Sequence, residues 1–294
     1  MARDARIYVL MARSAPTAVV FRRGPSKQVL LLRWNLATDT FEAGQWLKGR
    51  IYERRCDLSA DGQFLLYFAA SYRQPYFSWS AISRPPYLTA LALWPKGDGW
   101  GGGGHFKAGN EIALNHRLRE MALADGFRVP KWLNVHPFGP GSGWGEDEPI
   151  WSIRLERDGW ILASGGRAGH SLQSETWLEF EPPIIWEKPH PVVRERYTLR
   201  MMIRGIKQRN GPWYLTEHDV HSSEDGRYAI GRSDWADWSP NGDLLLAKRG
   251  SLFRVRFSSG TLAPLAQAEQ VIDLTNAKFE NRVAPPAALR WPKK

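Results

Sequence analysis

A chain of 294 residues with 43% apolar side chains has ample material for a large core, so disorder throughout is excluded. No apolar stretch approaches the roughly 20 residues that cross a bilayer as a helix, and a lone Cys56 forms no internal disulfide. A formal net charge of +10 favours anionic partners. The basic residues are nevertheless scattered in short pairs such as Arg22-Arg23 and Arg54-Arg55, a pattern that reads as a solvated surface.

In chain order, the first apolar run is Ile7–Ala12, ended by Arg13. It is too short for a signal-peptide core, so the expected compartment is the cytoplasm, without membrane insertion. Ala18–Phe21 and Val29–Leu32, followed by Trp34, are short strand-like runs. Asp57-Leu-Ser-Ala-Asp61-Gly62-Gln-Phe64-Leu-Leu-Tyr67-Phe68 then places an Asp-Gly pair before an apolar β-rich run. After Leu88–Trp94, the contiguous glycines Gly101–Gly104 lead into His105. They lack the spaced frame and the following Lys-Ser or Lys-Thr of a phosphate-binding loop, and read as an inter-strand loop.

Between Glu111 and Leu123, Ile112, Leu118, Met121 and Ala122 fall near helical spacing, with Asn110 as cap and Gly126 as stop. A strand through Ile112–Leu114 followed by a loop is the alternative. Residues 138–149 form a second loop rich in glycine and proline. Weaker turn copies follow at Glu156–Ala163 (Asp158-Gly159) and His221–Ile230 (Asp225-Gly226). A strong copy is Trp238-Ser-Pro-Asn241-Gly242-Asp-Leu244-Leu-Leu-Ala247. Finally Phe253-Arg-Val-Arg-Phe257 alternates, apolar in and charged out.

Asp-Gly and Asn-Gly suit the positive φ angles of a type I′ hairpin turn, and four copies along one chain suggest repeated β-meanders. The Trp238–Ala247 and Leu58–Tyr67 segments resemble the WD40-like repeat of propellers related to the translocation protein TolB. Trp79–Pro95, Gly101–Gly104, Ser233–Trp238 and Phe279–Pro285 resemble segments of bacterial proteins of propeller type. The resemblance implies an all-β fold: a single β-propeller over residues 1–294 with long inter-blade loops. At roughly 40–50 residues per blade, five blades are the first choice, with six or seven also within the length. The strand around Ala18–Phe21 would complete a C-terminal blade.

A propeller frame implies no reaction, so chemistry has to be sought in side chains. Asp219 and His221 would share one strand face as weak metal candidates, with His218 on the other. They would need further ligands from His105, His116 or His136, and no cofactor is expected. Gly141-Ser142-Gly143 and Gly169-His170-Ser171 lack a nucleophile frame, and Cys56 reads as inert. Scattered carboxylates (Asp39, Asp61, Glu111, Asp219, Asp237, Glu280) leave open a glycan-acting hydrolase, which needs a converging pair. Most tryptophans read as core. Trp100 and Trp144, flanked by glycines, are the expected exceptions.

The leading expectation is a non-enzymatic binding or scaffold propeller within a bacterial assembly. Its partner, a protein, would be met by Trp79, Arg84, Trp100, His105 and Lys107. Nucleic acid or another anionic ligand, bound through a basic face, is the other alternative.

Overall fold

The computed structural model describes residues 5–24, 27–169, 176–208 and 211–293. His170 and Ser171 lie outside them. The described residues form twenty-four strands and a single α-helix, so the protein is all-β. No closed barrel or propeller is found among them. None of their helices is long and apolar enough to cross a membrane.

The chain divides into two compact units, a larger one of Tyr8–Arg154 with Ala277–Lys294, and a smaller one of Met1–Ile7 with Leu155–Asn276. The larger unit begins within β1 (Arg6–Met11), which continues into a sheet with β2 (Thr17–Arg23), β3 (Gln28–Asn35) and β4 (Thr40–Lys48). A second sheet has β5 (Arg50–Ile51), β6 (Asp57–Leu58), β7 (Leu65–Ala70), β8 (Ser78–Ser83) and β9 (Ala90–Pro95). A third is formed by β10 (Gly104–Phe106), β11 (Glu111–Leu114) and β12 (Asn134–Pro137), the last parallel to β11. The boundary falls within α1 (Ile150–Arg157).

The smaller unit holds a sheet of β13 (Ile161–Gly165), β14 (Ala168–Gly169), β15 (Thr176–Pro189), β16 (Tyr197–Gln208), β17 (Tyr214–Ser222) and β18 (Gly226–Arg232). It also holds a four-stranded antiparallel sheet of β19 (Trp235–Trp238), β20 (Leu244–Lys248), β21 (Ser251–Val255) and β24 (Glu269–Asp273). The short pair β22 (Phe257–Ser258) and β23 (Thr261–Leu262) lies between β21 and β24 in sequence.

Burial explains these elements. Every residue of β7 is buried, as expected for a strand covered on both faces. Leu65, Tyr67 and Ala69 enter one apolar cluster with Phe21, Leu31 and Ile51. Leu66, one pleat over, enters a second with Trp94, Ile112 and Leu114. Each large side chain so buried contributes about 1.5–3 kcal/mol.

The two strong turn motifs share a serine anchor and a left-handed glycine, with one residue more in the first, and neither is type I′. Asp61 and Asn241 keep negative φ, and only Gly62 (φ +73°) and Gly242 (φ +90°) are left-handed. Gly62 N donates to Ser59 O and Gly242 N to Ser239 O, while the serine hydroxyls accept from Phe64 N and Asp243 N. Both are therefore serine-anchored turns in which glycine alone takes the positive angle. Asp225-Gly226 closes the β17–β18 hairpin. The Asp158-Gly159 copy is instead a helix end, where Gly159 (φ +90°) donates to Glu156 O and Trp160 N to Leu155 O.

Of the two readings of Glu111–Leu123, the strand holds and the helix is absent: Glu111–Leu114 pairs with β10 and β12, which gives its backbone partners that a helix would forgo. Only a 3-10 turn remains, at Leu118–Glu120. Other expectations are corrected. In β21, Arg254 points inward because Asp243 accepts its Nη1 at 2.7 Å. Arg22, Arg54 and Arg55 are buried rather than solvated. Ala18–Phe21 lies in β2 and pairs with β3, whereas the last strand, β24, pairs with β21 in another sheet. The terminal strands thus do not pair to close one blade.

Candidate interaction surface

Two loops of the larger unit, Gly97–Gly104 and 138–149, lie against each other. Gly101 N donates to Gly145 O at 2.6 Å. A Cβ on Gly101 would come within 2.7 Å of the Gly143 backbone, so this approach requires glycine. Gly102, at φ +78°, faces the Phe68 ring, which an added Cβ would meet at 2.2 Å. A Gly102→Ala substitution is accordingly expected to cost about 2 kcal/mol or more through strain and overpacking. A thermal midpoint unchanged from wild type would refute this.

Asn115, wholly buried at the end of β11, pins both loops. Its backbone accepts from Gly102 N at 2.8 Å and donates to Gly103 O at 2.9 Å. Its side-chain Oδ1 accepts from Gly143 N at 2.6 Å, and Nδ2 donates to Trp144 O at 3.0 Å. Beneath them, Arg55 is 2% exposed. It donates from Nη1 to Gly99 O and Gly101 O, each at 2.7 Å, and from Nε to Asp147 Oδ1 at 2.9 Å. The guanidinium also lies 4.5 Å from the Tyr52 ring centroid.

On this base Trp100 is 57% exposed and Trp144 61%. The Gly101–Gly145 bond joins the residues that follow them in their two loops, so the indoles sit on neighbouring turns. Arg117 stacks over Trp144, its Cζ 4.2 Å from the ring centroid. Leu118, the residue after Arg117, is 81% exposed. Asp98 Oδ1 accepts from Trp100 N and from Lys96 Nζ, both at 2.9 Å, and Lys96 also reaches Glu120 Oε1 at 3.2 Å. The result is an apolar, arginine-edged surface whose backbone is fixed from below. Such a surface binds with little ordering cost.

The five residues expected at the partner surface do not converge. Trp100 is there. Trp79 packs against the buried cluster around Tyr67 and Ala69, and His105, 6% exposed, is held within β10. A buried imidazole offers nothing for a partner to touch. Lys107 is exposed beyond the end of β10. Arg84 lines a separate polar cleft of about 410 Å³ with Thr17, Arg33, Asn35, Glu42 and Asp61. Both carboxylates of that cleft are engaged. Glu42 pairs with Arg33, and Asp61 caps its own turn by accepting from Ser59 Oγ at 2.6 Å.

Asp219 and His221 share a face of β17, as alternation predicts, with His221 Nε2 3.7 Å from Asp219 Oδ1. Asp219 is clasped by Arg200 at 2.8 and 3.0 Å and by Arg227 at 2.7 Å. Burial alone would raise its pKa, but the two guanidiniums outweigh this and hold it below the usual carboxylate value. No cluster of three metal-ligating side chains occurs among the described residues. Asp237, whose pKa burial raises, is bound to Lys188 at 2.7 Å. Burial also pushes the Cys56 thiol up, away from the reactive thiolate.

No protein-family model matches the chain, and no curated protein is similar to it. The site therefore has to be read from its own chemistry. Sequence reasoning missed Arg55, Asn115, Arg117 and Leu118, since each owes its role to residues 20 or more positions away or to a neighbouring loop. The glycines flanking Trp100 and Trp144 were the signal within the sequence.

Proposed function

We propose that the chain is a non-enzymatic protein-binding or scaffold module that engages its partner through Trp100, Trp144 and Leu118. The observation that carries this reading is the pair of indoles, each more than half exposed, on loops fixed by Arg55 and Asn115. Tryptophan and arginine dominate binding energy at protein interfaces, and a rigid base spares the entropy of ordering a loop. The surrounding frame is read as a WD40-like propeller of about five blades, in a cytoplasmic bacterial assembly. Successive antiparallel strands in four-stranded sheets and the two matching serine-anchored turns support that frame.

The test is affinity capture from native cells with the wild-type chain and a Trp100→Ser/Trp144→Ser variant, washed at high salt. A stoichiometric protein partner is expected with wild type and reduced at least about tenfold with the variant, as removal of two hot-spot side chains implies. Equal capture by both proteins would place the partner elsewhere.

A further inference from the structure

The net positive charge is unevenly distributed. The smaller unit has 17 basic and 17 acidic residues, so the excess lies in the larger unit, with 23 and 13. Part of that excess comes from the C-terminal segment, which packs on the larger unit. Phe279 lies 5.9 Å from the Trp46 ring, Gln45 donates to Arg282 O at 3.0 Å, and Arg84 donates to Ala287 O at 3.2 Å.

Near the end of the segment lies Trp291. Its Nε1 donates to Arg128 O at 3.0 Å, and its ring meets Trp132 edge to face at 5.9 Å and Phe64 at 5.4 Å. Both indoles are partly exposed, and four exposed cations, Arg128, Lys131, Arg290 and Lys293, lie within four residues of one or the other in the chain. None of the four has an ion-pair partner among the described residues. Asp125 is the one acidic residue within 125–133 and 285–293. Several other arginines of the larger unit are committed to carboxylates, Arg23 to Glu53, Arg33 to Glu42, Arg55 to Asp147, Arg117 to Glu120 and Arg282 to Glu280.

We propose that this surface binds single-stranded nucleic acid, with its phosphates on Arg128, Lys131, Arg290 and Lys293 and a base against the indoles of Trp132 and Trp291. Unpaired cations supply the electrostatic attraction, and aromatic faces stack bases only where those bases are not already stacked in a duplex. The site is distinct from the Trp100–Trp144 surface, and either can fail without the other.

The experiment is fluorescence anisotropy of the full chain with labelled oligothymidylate over a salt series starting near ~50 mM. An Arg290→Gln/Lys293→Gln variant is expected to bind about tenfold more weakly there. Its slope of log affinity against log salt should be shallower by about 1.4, or about 0.7 for each phosphate that is no longer neutralised. Trp291→Leu should weaken binding about tenfold with little change of slope, the mark of base stacking. Arg13→Gln/Arg73→Gln, which removes two exposed charges elsewhere in the unit, should bind as wild type. Absence of binding at low salt, an equal weakening in the Arg13/Arg73 variant, or equal competition by polyglutamate would each overturn the proposal. The charge variants alter only exposed side chains, so a folding defect in Trp291→Leu would leave the test intact.

Discussion

An Arg55→Ala variant is expected to lose about 3–5 kcal/mol of stability, because removing one partner of a buried ion pair leaves the other charge uncompensated. Arg55 satisfies Asp147, whose side chain is only 12% exposed, and two carbonyls of the glycine loop. Truncation strips the carboxylate of its guanidinium and leaves both carbonyls without that donor. It also opens a space between the Tyr52 and Phe68 rings, whose centroids lie 4.5 and 5.3 Å from the guanidinium carbon. Arg55→Lys retains the charge but cannot donate in three directions from one plane, so it should fall between the two. Chemical denaturation measures the effect. A cost below about 1 kcal/mol, the range of an exposed pair, would mean that Arg55 does not hold the loops. Because these loops carry Trp100 and Trp144, partner capture should fall together with stability.

Acidification should destabilise the larger unit through His116. Burial, the leading cause, lowers its folded pKa to about 4 from an ordinary 6.5, and the nearby Lys96 acts in the same direction. The carbonyl of Glu120 and the carboxylates of Glu120 and Asp98 oppose this without prevailing. The geometry suits the neutral ring: Nδ1 lies 3.1 Å from Glu120 O, and Nε2 2.8 Å from Ser80 Oγ, which in turn accepts from Gly103 N at 2.7 Å. With Nδ1–H donating to the carbonyl, Nε2 accepts the serine proton. A protonated ring has no lone pair for that role.

The unfolded chain binds the proton more readily than the folded one, so stability falls as pH drops from about 6.5 to about 4. The decrease is about 3 kcal/mol in full. A His116→Gln variant should start less stable at neutral pH but lose less on acidification. The readout is unfolding free energy for both proteins at several pH values across that window. Parallel curves would show that His116 does not carry the acid sensitivity. The Ser80–His116 pair resembles a catalytic dyad only in its distance. Both side chains are wholly buried, and the hydrogen bonds serve to anchor the start of β10 beneath the glycine loop.

The strand class and the turn positions were legible in the residue order, because alternation and Asp-Gly or Asn-Gly pairs are local properties. Asp61-Gly62 and Asn241-Gly242 fall at real turns, and Leu65–Ala70 and Leu244–Lys248 are real strands. The exposure of Trp100 and Trp144 was also legible, from glycine neighbours that give a large ring no adjacent side chain to pack against. Glu111–Leu114 shows the limit of such reasoning. Its apolar spacing suits helix or strand, and pairing with Gly104–Phe106 and Asn134–Pro137 decided between them.

Charged residues mark the second limit. Composition made Arg54, Arg55 and Arg254 surface residues, yet each is buried, and Asp147 and Asp243 supply the partners of Arg55 and Arg254 from distant positions. Desolvating a guanidinium is offset by the carboxylates, carbonyls or aromatic faces that tertiary structure brings to it, as Asp147 does for Arg55 and the Trp151 ring for Arg54. Thus the sequence by itself determined an all-β chain with recurrent turns and two exposed tryptophans. Tertiary structure alone decided which arginines hold loops together and which, around Trp291, remain free to meet a ligand, because ion pairing joins residues that the chain order keeps apart.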